Sequence, residues 1–199
     1  MKKLLFTLLS LCVASTFIAC NDDDDFNETF LGKQIDGVSV TYTVPIYQPS
    51  LEWTEYIVSY TVADGSTVND TISYDNVISG KVSLVSLADN DLGREDGRAF
   101  LIKNAIFTEI PDSCGMNVRM RLRSDVNMPG SIDLIMPKPQ ITAVVQYTDG
   151  NVRSVIGDGL DCNVISVEPN TELFKNIIEK EYFSTCTFYP SVQIYGGSK

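Results

Sequence analysis

Histidine is absent from all 199 residues. Its absence removes Ser-His-Asp and Cys-His nucleophilic catalysis, and with them histidine-containing zinc and haem sites. Basic side chains are scarce: 15 Lys+Arg stand against 26 Asp+Glu, a formal charge of −11. That balance disfavours nucleic acid and anionic membrane surfaces as partners, because both carry the same sign. The chain has no Cys-x-x-Cys, no Gly-x-Ser-x-Gly, no P-loop and no dinucleotide-binding glycine pattern. A non-enzymatic role follows as the expectation. A hydrolase using two carboxylates needs no local motif and stands as an alternative. Long apolar runs are missing apart from Leu4 to Ile18. Hydrophobic residues still make up 44% of the chain, enough for a core in a domain of ordinary size.

That apolar run follows Lys2 and Lys3 and is shorter than the roughly 20 residues of a membrane-spanning helix. It ends at Phe17-Ile18-Ala19-Cys20. A small residue before a cysteine at this point resembles a bacterial lipobox, with Phe17 standing where Leu is usual. The resemblance implies cleavage before Cys20 and acylation of its thiol. An ordinary secretory signal with a coincidental cysteine is the alternative. The next residues, Asn21-Asp22-Asp23-Asp24-Asp25, resemble the acidic export signal of Bacteroidota surface lipoproteins, with Asn21 in place of the usual Ser. The resemblance covers about 25 residues and implies a lipid-anchored protein exposed on the outer membrane. Physically, the same acids form a solvated, self-repelling tether. The expected organisation is residues 1–19 as signal peptide, 20–34 as lipidated cysteine and tether, and 35–199 as one β domain. Beyond the tether the chain is only moderately acidic, since Asp22 to Asp25 and Glu28 account for five of the 26 acids.

Of the remaining cysteines, Cys114, Cys162 and Cys186 are an odd number for an exported domain. One bridge is expected at most, between Cys162 and Cys186, and three buried thiols are the alternative.

Period-two patterning dominates after residue 35. Val38, Val40, Tyr42 and Val44 share one face, as do Tyr56, Val58, Tyr60 and Val62. Further strands are expected over Val82–Leu87 with a bulge, Phe100–Thr108, Met116–Leu122, Ile132–Met136, Ile141–Tyr147, Val152–Ile156, Asn163–Val167 and Phe188–Tyr195. Asp64-Gly65 and Asp149-Gly150 lie between β-rich runs and predict tight hairpins. One helix is expected, capped by Asn170 or Thr171 and ending near Phe183, with Leu173, Phe174, Ile177 and Ile178 as its apolar stripe. About ten strands and one C-terminal helix predict an all-β, antiparallel β-sandwich, Ig-like in the broad sense; a lipocalin-like closed barrel is the alternative.

Arg119, Arg121 and Arg123 alternate along one strand and project from one face, about 6.5–7 Å apart. Such a row can bind an acidic glycan through bidentate hydrogen bonds, or pair with neighbouring carboxylates such as Glu109 or Asp133. Trp53, beside Pro49 and Glu52, is a candidate sugar-stacking aromatic, with core packing as the alternative. Asp89, Asp91 and Glu95 form an oxygen-rich loop that suits Ca²⁺, although Leu92 stands where the EF-hand pattern wants a third acid and Arg94 and Arg98 compete for the carboxylates; no other cofactor is indicated. Asp70-Thr71-Ile72 resembles a short O-glycosylation site of exported Bacteroidota proteins. The functional expectation is a non-catalytic binding or accessory role at the outer membrane. The expected partners are lipid through acyl chains, and a glycan or other envelope proteins. A structural or adhesive subunit of an envelope assembly is the alternative.

Overall fold

Apolar residues at every second position leave a strand only one way to hide them, against another sheet. The computed structural model describes residues 35–86, 97–108, 111–127, 130–156, 160–169, 171–180 and 183–189. Contacts divide the chain into Met1–Leu31 and Gly32–Lys199, and every described residue belongs to the second unit. Its strands are β1 (Ile35–Tyr47), β2 (Thr54–Thr61), β3 (Thr67–Ile72), β4 (Val85–Ser86), β5 (Arg98–Phe107) and β6 (Cys114–Leu122). They continue with β7 (Ile132–Ile135), β8 (Gln140–Tyr147), β9 (Val152–Ile156), β10 (Val164–Val167) and β11 (Phe183–Phe188). Two helices, α1 (Tyr74–Ile78) and α2 (Glu172–Lys180), complete the set.

The strands form a five-stranded sheet ordered β4-β5-β1-β8-β9, a four-stranded sheet ordered β11-β6-β2-β3, and a small β10-β7 sheet. The architecture is an all-β sandwich, and the sheets do not close into a barrel. The barrel alternative fails because each large sheet ends in its own edge strands, β4 and β9 in one and β3 and β11 in the other.

The five-stranded sheet turns Val38, Val40, Tyr42, Val44, Leu101, Ala105, Ile141, Ala143 and Val145 inward. The four-stranded sheet answers with Tyr56, Val58, Met116, Val118 and Met120. Two tyrosine hydroxyls between them are hydrogen-bonded, as burial favours. The Tyr42 hydroxyl donates to the Thr61 carbonyl at 2.7 Å, and its ring lies 5.5 Å from that of Tyr60. Burial pushes the Tyr42 hydroxyl well above its ordinary pKa. Asp70 sits opposite inward-facing Val58, accepts from the Tyr60 hydroxyl at 3.1 Å, and meets Lys103 Nζ of β5 at 2.8 Å. This ion pair ties the edge strand β3 to the other sheet.

Both predicted hairpins form, and with the same chemistry. Gly65 and Gly150 take φ of +79° and +86°. In each, the glycine N–H donates three residues back at 2.9 Å, to Val62 or Tyr147. The preceding aspartate accepts from the backbone of Ser66 or Asn151. This is a type I turn closed by a left-handed glycine.

Several boundaries depart from expectation. The strand near Val82–Leu87 shrinks to the two residues of β4, and the bulge lies instead in β1, between Ile35 and Gly37. β11 begins at Phe183, so the last helix ends at Lys180. Thr171 caps that helix, its Oγ1 accepting from the Phe174 N–H at 3.2 Å. Ile177 is buried, but Leu173 is 42% exposed, because it lies off the face shared by Phe174 and Ile177.

The outer faces of the two large sheets differ in character. The four-stranded sheet presents Glu55, Arg119 and Arg121 among polar residues. The five-stranded sheet presents Ser39, Thr41 and Thr43 from β1, Ile102, Asn104 and Ile106 from β5, and Gln140, Thr142, Val144 and Gln146 from β8. Val152, Ser154 and Ile156 of β9 continue that face. None of these residues is charged.

Candidate functional site

The arginine row lies on β6, whose inward residues Met116, Val118 and Met120 fix Arg119 and Arg121 on the solvent face. The register sets what each arginine meets. Arg121 is directly opposite Glu55 of β2, and the two form an ion pair through Arg121 Nε and Glu55 Oε1. Arg123 follows the end of β6. Its backbone N–H donates to the Trp53 carbonyl at 2.8 Å, which extends the β2–β6 ladder by one rung. Its guanidinium grips Asp125 as a fork, Nε to Oδ1 at 3.1 Å and Nη2 to Oδ2 at 2.8 Å. Of the partners expected for the row, Asp133 is engaged elsewhere and Glu109 cannot be placed. Asp133 accepts from Ser166 Oγ across the β7–β10 pair, and Glu109 lies outside the described residues.

Around this end of the sheet lies a cleft of about 380 Å³, lined by Glu55, Ser73, Asp75, the stretch from Arg121 to Asp125, and little apolar surface. Ser73 and Asp75 come from the start of α1, where Ser73 Oγ accepts from the Asn76 N–H. The cleft therefore combines two guanidinium groups with three carboxylates. The Asp125 hydrogen bond, then the nearby Asp125, Asp75 and Glu55 charges, raise the Arg123 pKa against the effect of desolvation. The same fork holds the Asp125 carboxyl below the usual aspartate range. Both groups are fully ionised at neutral pH. Arg119 is exposed on the same face but does not line the cleft.

Trp53 closes a 3-10 turn over Gln48–Glu52 and is half-buried, between the exposed and core positions weighed for it. The Asp70-Thr71-Ile72 tripeptide is divided by the sheet. Asp70 is held by Lys103, Thr71 is half-buried on an edge strand, and Ile72 is fully buried.

Cys114, Cys162 and Cys186 are thiols, and the expected Cys162–Cys186 bridge does not form. Cys186 lies in β11 of the four-stranded sheet, whereas Cys162 lies just before β10 in the small sheet, so neighbourhood in sequence does not bring them together. Burial pushes the Cys114 and Cys162 thiols above their ordinary pKa. The calcium candidates Asp89, Asp91 and Glu95 lie outside the described residues, as do Cys20 and Asp22 to Asp25. Among the described residues there is no group of three or more Cys, Asp or Glu able to hold a metal, and no helix long and apolar enough to cross a membrane.

No protein family, curated protein or solved structure matches the chain. The functional reading therefore rests on the cleft and on the N-terminal sequence. Two cleft residues, Arg121 and Arg123, were visible as part of an alternating row. Glu55, Ser73, Asp75 and Asp125 were not, because their proximity depends on the β2–β6 register and on where α1 starts.

Proposed function

We propose that the chain is a lipid-anchored protein of the outer-membrane surface with a non-catalytic binding role, and that its ligand is a neutral glycan held in the Arg121–Arg123 cleft. The carrying observation is the mixed lining, with Arg121 fixed by Glu55 and Arg123 by Asp125. Such charge-assisted pairs present both donors and acceptors in set positions, which suits the paired hydroxyls of a sugar. Three carboxylates against two guanidinium groups disfavour the acidic glycan that the arginine row alone suggests. The sparse apolar lining also separates this cleft from ordinary drug-like pockets, which are mostly apolar. A hydrolytic role is less well supported, since Glu55 and Asp125 are both tied to arginines and Asp125 is held low, opposite to what a proton donor needs.

A glycan array tests the ligand class. Arg121→Ala and Arg123→Ala should each weaken binding tenfold or more, while Arg119→Ala leaves it within twofold. Equal losses at all three arginines would favour the acidic-glycan row instead, and no bound glycan would refute the reading. The anchor is tested separately: Cys20→Ala should release the protein from membranes, and protease added to intact cells should remove the domain. A structural role in an envelope assembly is the second reading, favoured by the exposed Ile102, Ile106, Val152 and Ile156 on the outer face of the five-stranded sheet.

A further inference from the structure

One wall of the cleft is built unlike the others. Glu55 sits between Thr54 and Tyr56, and Arg121 follows Met120; all three neighbours are fully buried, so those walls are pinned to the core. The remaining wall, Ser73 and Asp75, belongs to residues 73–81, which comprise the cap of α1, the helix itself and the turn after it. None of these residues is buried, and Tyr74 and Ile78 are 44% and 69% exposed. Burial resumes on either side, at Ile72 and Val82.

The segment is thus a strap between two anchors. Among the described residues, both hydrogen bonds that tie it to the chain on either side pass through Asn76. Its Nδ2 donates to the Thr71 carbonyl at 2.8 Å, and its carbonyl accepts from the Val82 N–H at 3.0 Å. The other backbone bonds are internal: the Val77, Ser79 and Gly80 N–H groups donate to the Ser73, Asp75 and Val77 carbonyls. A five-residue helix is too short to hold itself, and segments with few buried apolar groups open locally at far lower cost than core strands.

The strap also carries the cleft carboxylate that is left over. Glu55 is paired with Arg121, and Asp125 with Arg123. Among the described residues the Asp75 carboxylate has no hydrogen bond or ion pair, although its charge acts on Arg123. Both of its oxygens are able to accept from a ligand.

We infer that residues 73–81 are a moving wall of the cleft: they swing on Ile72 and Val82 as a glycan enters, and bring Asp75 onto its hydroxyls. The inference rests on the sugar-binding reading of the cleft and adds how the site closes.

Amide hydrogen exchange of the full-length chain in detergent tests the wall by itself. The Val77, Ser79 and Gly80 amides should exchange about 100-fold faster than those of the β2–β6 ladder, or more. The probe for closure is a panel of neutral hexose oligosaccharides, two to six units long. Saturation with a member that binds should slow the three strap amides at least fivefold and leave the Gly150 amide of the β8–β9 hairpin unchanged. Asp75→Asn should weaken that binding at least tenfold, at an unchanged thermal melt. No binding by any member refutes the reading of the cleft, and the inference falls with it. Binding that leaves strap exchange unchanged, or that Asp75→Asn retains within twofold, overturns the inference alone. So does exchange of the strap amides at the rate of the ladder in the unbound protein.

Discussion

Replacing Gly97 by alanine adds one methyl group at the entry to β5, and the structure says what it meets. The new Cβ would sit 2.9 Å from Pro49 Cδ, 3.0 Å from Pro49 Cγ and 3.1 Å from Tyr47 Cε2. Both neighbours are rings, so neither yields as a flexible side chain would. Gly97 also takes φ +78° and its carbonyl accepts from the Gln48 N–H at 2.8 Å, which holds the backbone in place. The left-handed conformation costs an alanine about 1–2 kcal/mol, partly offset by about 0.4–1 kcal/mol from a stiffer unfolded chain. Steric overlap in a packed site adds about 1–3 kcal/mol. Gly97→Ala should therefore destabilise by about 2–4 kcal/mol. Gly65→Ala provides the internal control: φ is +79°, but nothing lies within 4 Å of its Cβ, so only the backbone contribution remains, about 1 kcal/mol. Urea denaturation of both variants, read by Trp53 fluorescence, measures the difference at constant m. Equal midpoints for the two variants would refute the packing argument. A neutral Gly65→Ala would refute the backbone one.

Two further outcomes follow from the site and the core. Because Arg123 depresses the Asp125 pKa, the stabilising contribution of that pair is complete above the ordinary aspartate range and is lost as pH falls through the depressed value. In Arg123→Met the Asp125 carboxyl should therefore titrate at higher pH by carboxyl NMR, and an unmoved midpoint would contradict the fork. Maleimide should label half-buried Cys162 in the native protein, with Cys114 and Cys186 reacting only after unfolding. A non-reducing digest containing a Cys162–Cys186 peptide would disprove the thiol assignment.

Legibility from the sequence followed the strength of local patterning. β1, β2, β6 and β8 alternate cleanly and lie where the alternation places them. β4 did not, because Val82, Leu84, Val85 and Leu87 are apolar without a consistent phase, and among the described residues of that stretch only Val85 and Ser86 find a partner strand. α1 escaped notice because five residues cannot display a helical period; its one signal is Ser73 three residues before Asn76, the spacing of a capping side chain. For the site, the sequence showed which way three arginines point but not what faces them. Arg121 meets Glu55 through a pairing between strands 66 residues apart. The Cys162–Cys186 expectation failed for the same reason: position along the chain does not report sheet membership.

The placement of β1 has a mechanical consequence. Anything pulling on the chain before Ile35 transmits its load through this strand, which is 13 residues long and central in its sheet. β1 is hydrogen-bonded along one side to β5 and along the other to β8. A tug along its axis loads both ladders in shear, so many hydrogen bonds must yield together rather than open one by one. A terminal edge strand such as β11 would instead peel from one side. A load applied at the N-terminal end of β1 is thus shared by two ladders at once, while the cleft is formed separately, at the end of the central β2–β6 pair of the other sheet.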